Sequence, residues 1–185
     1  MSIDRLIKRC KRHNLNAQSE LYTRYKDVLF TLCLKYCKNK EEAEDNLQDA
    51  FISIFNNISK YKGNGSFEGW MKRITINKAI DKYKKESFIN IVINDDMLED
   101  IEIDTNELNV PLHILLDTIQ ELPSRYRLVF NMYEMDNFTH KEIAKSLEIS
   151  EGTSKSNLHR AKMILKNRIK EVNQTQPINA MSNGK

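Results

Sequence analysis

The stretch EEAEDNLQDAFISIFNNI, Glu41–Ile58, sets Ala43, Leu47, Ala50, Phe51, Ile54, Phe55 and Ile58 three and four residues apart. That spacing puts them on one face of a helix, and a face so apolar is stable in water only when packed against other helices. The opposite face carries Glu41, Glu42, Glu44, Asp45, Gln48 and Asp49, and no Lys or Arg occurs from Glu41 to Ser59. Carboxylates repel phosphates, so this face is read as a surface for docking on a protein. The plainer reading is a solvated amphipathic face.

On its C-terminal side, KYKGNGS (Lys60–Ser66) has two glycines suited to a turn or a close backbone approach. Ser66 is placed to cap the next helix. That helix, SFEGWMKRITINKAIDKYKKE, sets six basic residues against three acidic ones, with Trp70, Arg73, Asn77 and Asp81 at helical spacing. Aromatic and amide groups on a basic surface suit unstacked bases. Taken alone, Trp70 fits a core position equally well. On the N-terminal side, residues 3–12 predict a short basic helix ended by Asn14 and Asn16. A long helix then starts at about Ser19, with Leu21, Tyr22, Tyr25, Val28, Leu29, Leu32, Cys33 and Tyr36 on one stripe. Together these make a bundle of about four helices over residues 1–87.

Residues 88–110 change character. Asp95 to Glu107 holds seven acidic residues and no basic one, which predicts an acidic linker. Beyond Pro111 the periodicity returns at Leu112, Leu115, Leu116, Ile119 and Leu122. Pro123 stops that helix, and Ser124 is placed to cap the next. Asp136-Asn137 is a turn. Thr139 and Glu142 have capping-box spacing before Ile143, Ala144 and Leu147. Glu148-Ile149 turns again, Ser150 caps, and a helix runs from Glu151 to about Glu171 with Leu158, Ala161, Leu165 and Ile169 inward. From Gly152 to Lys170 it has six basic residues and no acidic one. Two helices joined by a short turn, the second basic, form a helix-turn-helix whose second helix enters the DNA major groove. Thr153, Lys155, Ser156, His159 and Arg160 are the candidates for base edges, and Lys162 and Lys166 for phosphates. Ala144 suits the helix crossing, and Gly152 suits a close backbone approach. The expected fold is all-α: two small helical domains, 1–87 and 111–172, joined by the acidic linker 88–110 and followed by a disordered tail, 173–185.

The 185 residues have room for one domain or two small ones, and a net charge of +3 does not by itself mark a nucleic-acid binder. The segregation of charge is more telling, because it gives different faces to different partners. No apolar run reaches the length of a membrane span, and the charged N-terminus lacks a signal-peptide core. Three cysteines without a secretory signal predict free thiols in a reducing cytosol. Cys10, His13, Cys33 and Cys37 have ligand chemistry for zinc but lack the spacing of a compact knuckle, so no metal and no cofactor is expected. Nor is there a phosphate-binding glycine loop or a metalloprotease motif, and no enzymatic activity is expected.

DNLQDAF (Asp45–Phe51), SFEGW (Ser66–Trp70) and RITIN (Arg73–Asn77) resemble the second conserved region of bacterial sigma factors, and the short chain resembles their extracytoplasmic-function (ECF) group in the sigma-70 family. The resemblance covers about Ala17–Glu86 and Leu112–Glu171. It implies that Asp45, Gln48, Asp49 and Phe51 dock on core RNA polymerase. Ser66, Phe67, Trp70, Arg73 and Asn77 would read the melted −10 strand. GTSKSNLHR (Gly152–Arg160) matches the helix that reads duplex −35 DNA. Two residues depart from the family pattern: Asn46 and Ser154 stand where apolar residues are usual. The implied protein is a monomeric transcription initiation factor of the bacterial cytoplasm, on the nucleoid when part of the holoenzyme. An anti-sigma factor is an expected regulator, and no membrane insertion is expected. The acidic linker has two readings of its own, a solubilising tether or a mimic of phosphates lying in a basic nucleic-acid channel such as the RNA path of the polymerase. The alternatives are a helix-turn-helix regulator acting without polymerase, and a decoy that sequesters a regulator.

Overall fold

The computed structural model describes residues 2–87 and 111–175, and all regular structure among them is helical. The chain divides into two compact units, Met1–Val92 and Ile93–Lys185. The acidic stretch 88–110 and the chain beyond 175 lie outside the described residues, so the linker and most of the tail expected from the sequence cannot be placed against it.

The first unit contains α1 (Ile3–Cys10), α2 (Leu15–Tyr36), α3 (Lys40–Asn57) with a 3₁₀ turn at Ile58–Lys60, and α4 (Phe67–Ser87). α2, α3 and α4 pack on one another, and α1 packs on α2. The buried stripe of α3 is Ala43, Asn46, Leu47, Ala50, Phe51 and Ile54; relative to the predicted stripe it gains the polar Asn46, Phe55 is only half-buried, and Ile58 is buried in the 3₁₀ turn that follows. α2 starts earlier than the sequence suggested. Asn14, read as a breaker, is its N-cap, its side chain accepting from the Ala17 amide at 3.0 Å. Asn16 lies inside the helix. α1 has already ended at Cys10, and the Asn14 side chain, on extended backbone, opens the next helix.

Asn46 is 2% exposed. Its amide donates to Cys33 Sγ of α2 and to the Thr75 carbonyl of α4, each at 3.3 Å. The polar group that departs from the family pattern therefore sits among three helices and not on the docking face. Burial pushes the Cys33 thiol up from its usual range, although the Asn46 amide opposes this, so Cys33 is held as a neutral thiol.

The second unit contains α5 (Leu112–Gln120), α6 (Ser124–Phe130) continuing into a π turn at Asn131–Met135, α7 (His140–Leu147) and α8 (Glu151–Thr175). α8 is the spine, with α5, α6 and α7 packed along it. Ile119, Leu122, Tyr126, Ala161 and Leu165 form a core cluster, extended by the partly buried Leu115, Phe130 and Ile164. α8 continues four residues past the predicted end at Glu171. Among the described residues no group of three or more His, Cys, Asp and Glu side chains is arranged to hold a metal. No described helix is long and apolar enough to cross a membrane.

Candidate nucleic-acid interface

In the first unit the site is built around the loop from Lys60 to Ser66. Gly63 and Gly65 adopt φ of 83° and 88°, a left-handed backbone that glycine enters without a Cβ clash. The Tyr61 hydroxyl donates to the Gly65 carbonyl at 2.7 Å and closes the loop. Ser66 caps α4, its Oγ accepting from the Gly69 amide at 3.0 Å. A Cβ on Gly69 would stand 2.9 Å from that oxygen, so the cap and the glycine suit each other.

Three rings gather where the loop meets α4. Phe67 stacks on Trp70 at 5.5 Å and 23°, while Tyr61 meets Phe67 at 5.0 Å and Trp70 at 5.5 Å. Tyr25 of α2 abuts Phe67 edge-on at 6.3 Å. Phe67 is buried and Trp70 half-buried. Phe67 is thus the floor of the cluster, and Trp70 presents the accessible ring. Arg73 and Asn77 are exposed one and two turns further along the same face of α4. Trp70 is thus neither fully core nor fully exposed: it packs on Phe67 and Tyr61 and is half-buried.

On α3 the docking candidates separate. Asp45, Gln48 and Asp49 are exposed, but Phe51 is 3% exposed and lies against Tyr22 at 4.7 Å and Phe55 at 5.8 Å. Phe51 is therefore a support for the face and not part of it. Ile52, 59% exposed, lies three and four residues beyond Asp49 and Gln48 and joins that face. The sequence reading passed over it, although an apolar residue outside the buried stripe was a visible signal. Asp45 also meets Lys82 of α4 at 3.8 Å, an exposed pair worth about 0–1 kcal/mol.

In the second unit the helix-turn-helix is fixed by its caps. The Thr139 hydroxyl accepts from the Glu142 amide at 3.2 Å, and the Glu142 carboxylate accepts from the Thr139 amide at 2.9 Å. Glu148 turns the chain with a φ of 58°. The Ser150 hydroxyl then caps α8 by accepting from the Thr153 amide at 2.9 Å. Gly152 is exposed, and a Cβ there would make only an ordinary contact with Ser150 at 3.5 Å. No close approach among the described residues of this chain requires that glycine.

Ser154 is fully buried and hydrogen-bonded to His140 Nδ1 at 2.9 Å. The imidazole in turn stacks on Tyr133 at 4.4 Å. The hydroxyl that departs from the family pattern joins α8 to α7 through a satisfied polar contact. Lys155 is exposed, and Thr153 and Ser156 are half-buried. Arg160 reaches the Tyr126 hydroxyl at 3.4 Å, and Arg125 donates to that same oxygen at 2.7 Å. His159 is a correction. It is 8% exposed, with Nδ1 buried and unpartnered, because it lies one position past Leu158 on the inward side of α8. It cannot meet a base edge from there. Lys162 pairs with Glu134 at 2.9 Å.

The chain matches the family description Sigma-70 region 2 over residues 21–89 and Sigma-70, region 4 over residues 112–165. It is 28% identical to the ECF RNA polymerase sigma factor SigW of Bacillus subtilis, across 93% of this chain and 99% of that protein. It is 30% identical to SigM of the same organism, across 80% of this chain and 91% of that one. The fold resembles that of the sigma factor RpoE of Bartonella quintana, solved with the anti-sigma factor NepR. The TM-score is 0.53 at 15% identity, over 82% of this chain and 96% of that one. Carrying both regions, the chain belongs to the sigma-70 family, in its extracytoplasmic-function group.

Proposed function

We propose that this protein is a transcription initiation factor that joins core RNA polymerase, directs it to specific promoters and helps open the −10 element. The observation that carries the reading is that one chain holds both an accessible aromatic platform beside a basic helix and a capped helix-turn-helix. α3 docks on the polymerase through Asp45, Gln48, Asp49 and Ile52. α8 enters duplex −35 DNA with Thr153, Lys155, Ser156 and Arg160. Ser66 fixes the start of α4, so that Trp70 stacks on an unpaired base while Arg73 and Asn77 meet its phosphate and its polar edge. Capturing the base offsets part of the cost of unpairing it. Two modest contacts on one chain raise each other's effective concentration.

Recognition is this chain's part, and nucleotide addition belongs to the polymerase. An anti-sigma factor is proposed as the regulatory partner, as RpoE of Bartonella quintana has one. The test is transcription from a promoter library with purified core polymerase, with and without the protein, at a fixed salt concentration. Specific transcripts that require the protein are expected. Their absence, together with failure to co-elute with core enzyme, refutes the reading.

A further inference from the structure

The α1 side of the first unit has no part in the roles above, yet it carries a dense positive charge. Arg5, Lys8, Arg9, Lys11 and Arg12 stand against the single carboxylate of Asp4 between Ile3 and His13. A cleft of about 620 Å³ opens between α1 and the loop that follows α3, lined by Asp4, Lys8, Lys11, Tyr61, Lys62 and Gly63 among others. Lys8 and Lys62 are exposed. Lys11 donates to the Tyr61 carbonyl at 2.8 Å, which ties α1 to the loop. Tyr61 thus belongs to two surfaces. Its backbone borders the cleft, and its ring meets Phe67 and Trp70.

We propose that this cleft holds the phosphodiester backbone of the unpaired DNA strand whose base is captured at Trp70. The inference rests on the strand-capture reading above. A strand that gives up a base at the ring cluster must continue beyond it, and the surface joined to the cluster through Tyr61 is lined by three ammonium groups. Lysines act on phosphate as point charges and do not require a particular base. A glycine at 63 with a left-handed backbone and nothing within 4 Å of its Cβ position leaves the rim open to a polymer. The sign of the charge separates this cleft from the acidic α3 face, which suits a protein.

The test uses holoenzyme assembled from core polymerase and the full chain, with fork-junction DNA carrying a single-stranded −10 extension. Affinity is measured against salt for the wild type and for Lys8→Ala/Lys62→Ala. Loss of two single-strand phosphate contacts makes the plot of log K against log salt shallower by about 1.4. The loss is the same for every sequence of the extension, and duplex −35 binding is unchanged. An unchanged slope overturns the proposal. So does loss of core polymerase binding in the double variant, which would make the cleft a protein contact.

A second measurement leaves the protein intact. Methylphosphonate replaces each linkage beside the captured base in turn. At one or two positions it should weaken the wild type and leave the double variant indifferent. If no linkage distinguishes the two, the cleft does not hold the strand. Wild-type holoenzyme that binds fork and duplex DNA equally refutes strand capture and the cleft together. A preference for fork DNA with an unaltered salt slope refutes the cleft alone.

Discussion

Single residues decide which face of each helix is available. Lys155 and His159 are one turn apart on α8, yet Lys155 is exposed and His159 is 8% exposed. Lys155→Ala should weaken binding to the duplex promoter element, by about 1–3 kcal/mol where it meets a base edge, without lowering the unfolding temperature. His159→Ala should do the reverse, and a promoter titration beside thermal unfolding separates them. Sequence periodicity could not have drawn this line. A stripe of Leu158, Ala161 and Leu165 leaves the residue beside it free to face either way, and tertiary packing decided. Asn46 teaches the same lesson in the other direction: an amide in an apolar stripe looks like a surface residue until Cys33 and Thr75 meet it. Asn46→Ala should cost about 1–3 kcal/mol, the range for stranding buried polar groups, as read from urea unfolding. Glu148, at a φ of 58°, holds a backbone that glycine enters freely. Glu148→Gly should raise stability by about 0.5–1 kcal/mol, since relief of the left-handed strain exceeds the entropy glycine adds to the unfolded chain.

At the scale of the element, caps were the most legible feature. Thr139 with Glu142, Ser150 before α8 and Ser66 before α4 stand where the chain order predicted, because a cap is a local contact between residues two or three apart; Ser124 does not, being the first residue of α6, whose N-cap is Pro123 with no side-chain bond. The start of α2 was misread because Asn14, taken as a breaker of the first helix, is the N-cap of the second. The π turn at Asn131–Met135 left no sequence signal, as its widened backbone answers to packing and not to periodicity. The α3 face was legible in its charge but not in its one exposed isoleucine, Ile52. Ile52→Asp should lower affinity for core polymerase at least tenfold in a competition assay while α3 stays folded, since Ile52 is 59% exposed and lies outside the buried stripe of α3. Phe51→Ala should instead destabilise the first unit by about 3–5 kcal/mol, the range for emptying an aromatic core position.

Across the whole molecule, composition concealed what distribution revealed. A net charge of +3 is the near-cancellation of an acidic α3 face and stretch 95–107 against basic α1, α4 and α8. Cleaving the chain between residues 87 and 111 should leave two folded units. Mixed together, they should bind promoter DNA with polymerase about 10²–10⁴ times more weakly than the joined chain, because effective concentration is lost. A gel-shift titration of cut against uncut protein reads this directly. The 185-residue chain has a single tryptophan, and it is Trp70, half-buried against Phe67 at the accessible ring cluster. The protein therefore carries its own optical reporter at the one place where an unpaired base would arrive. Without any label, quenching of its indole emission in a stopped-flow instrument would time the moment at which DNA opens.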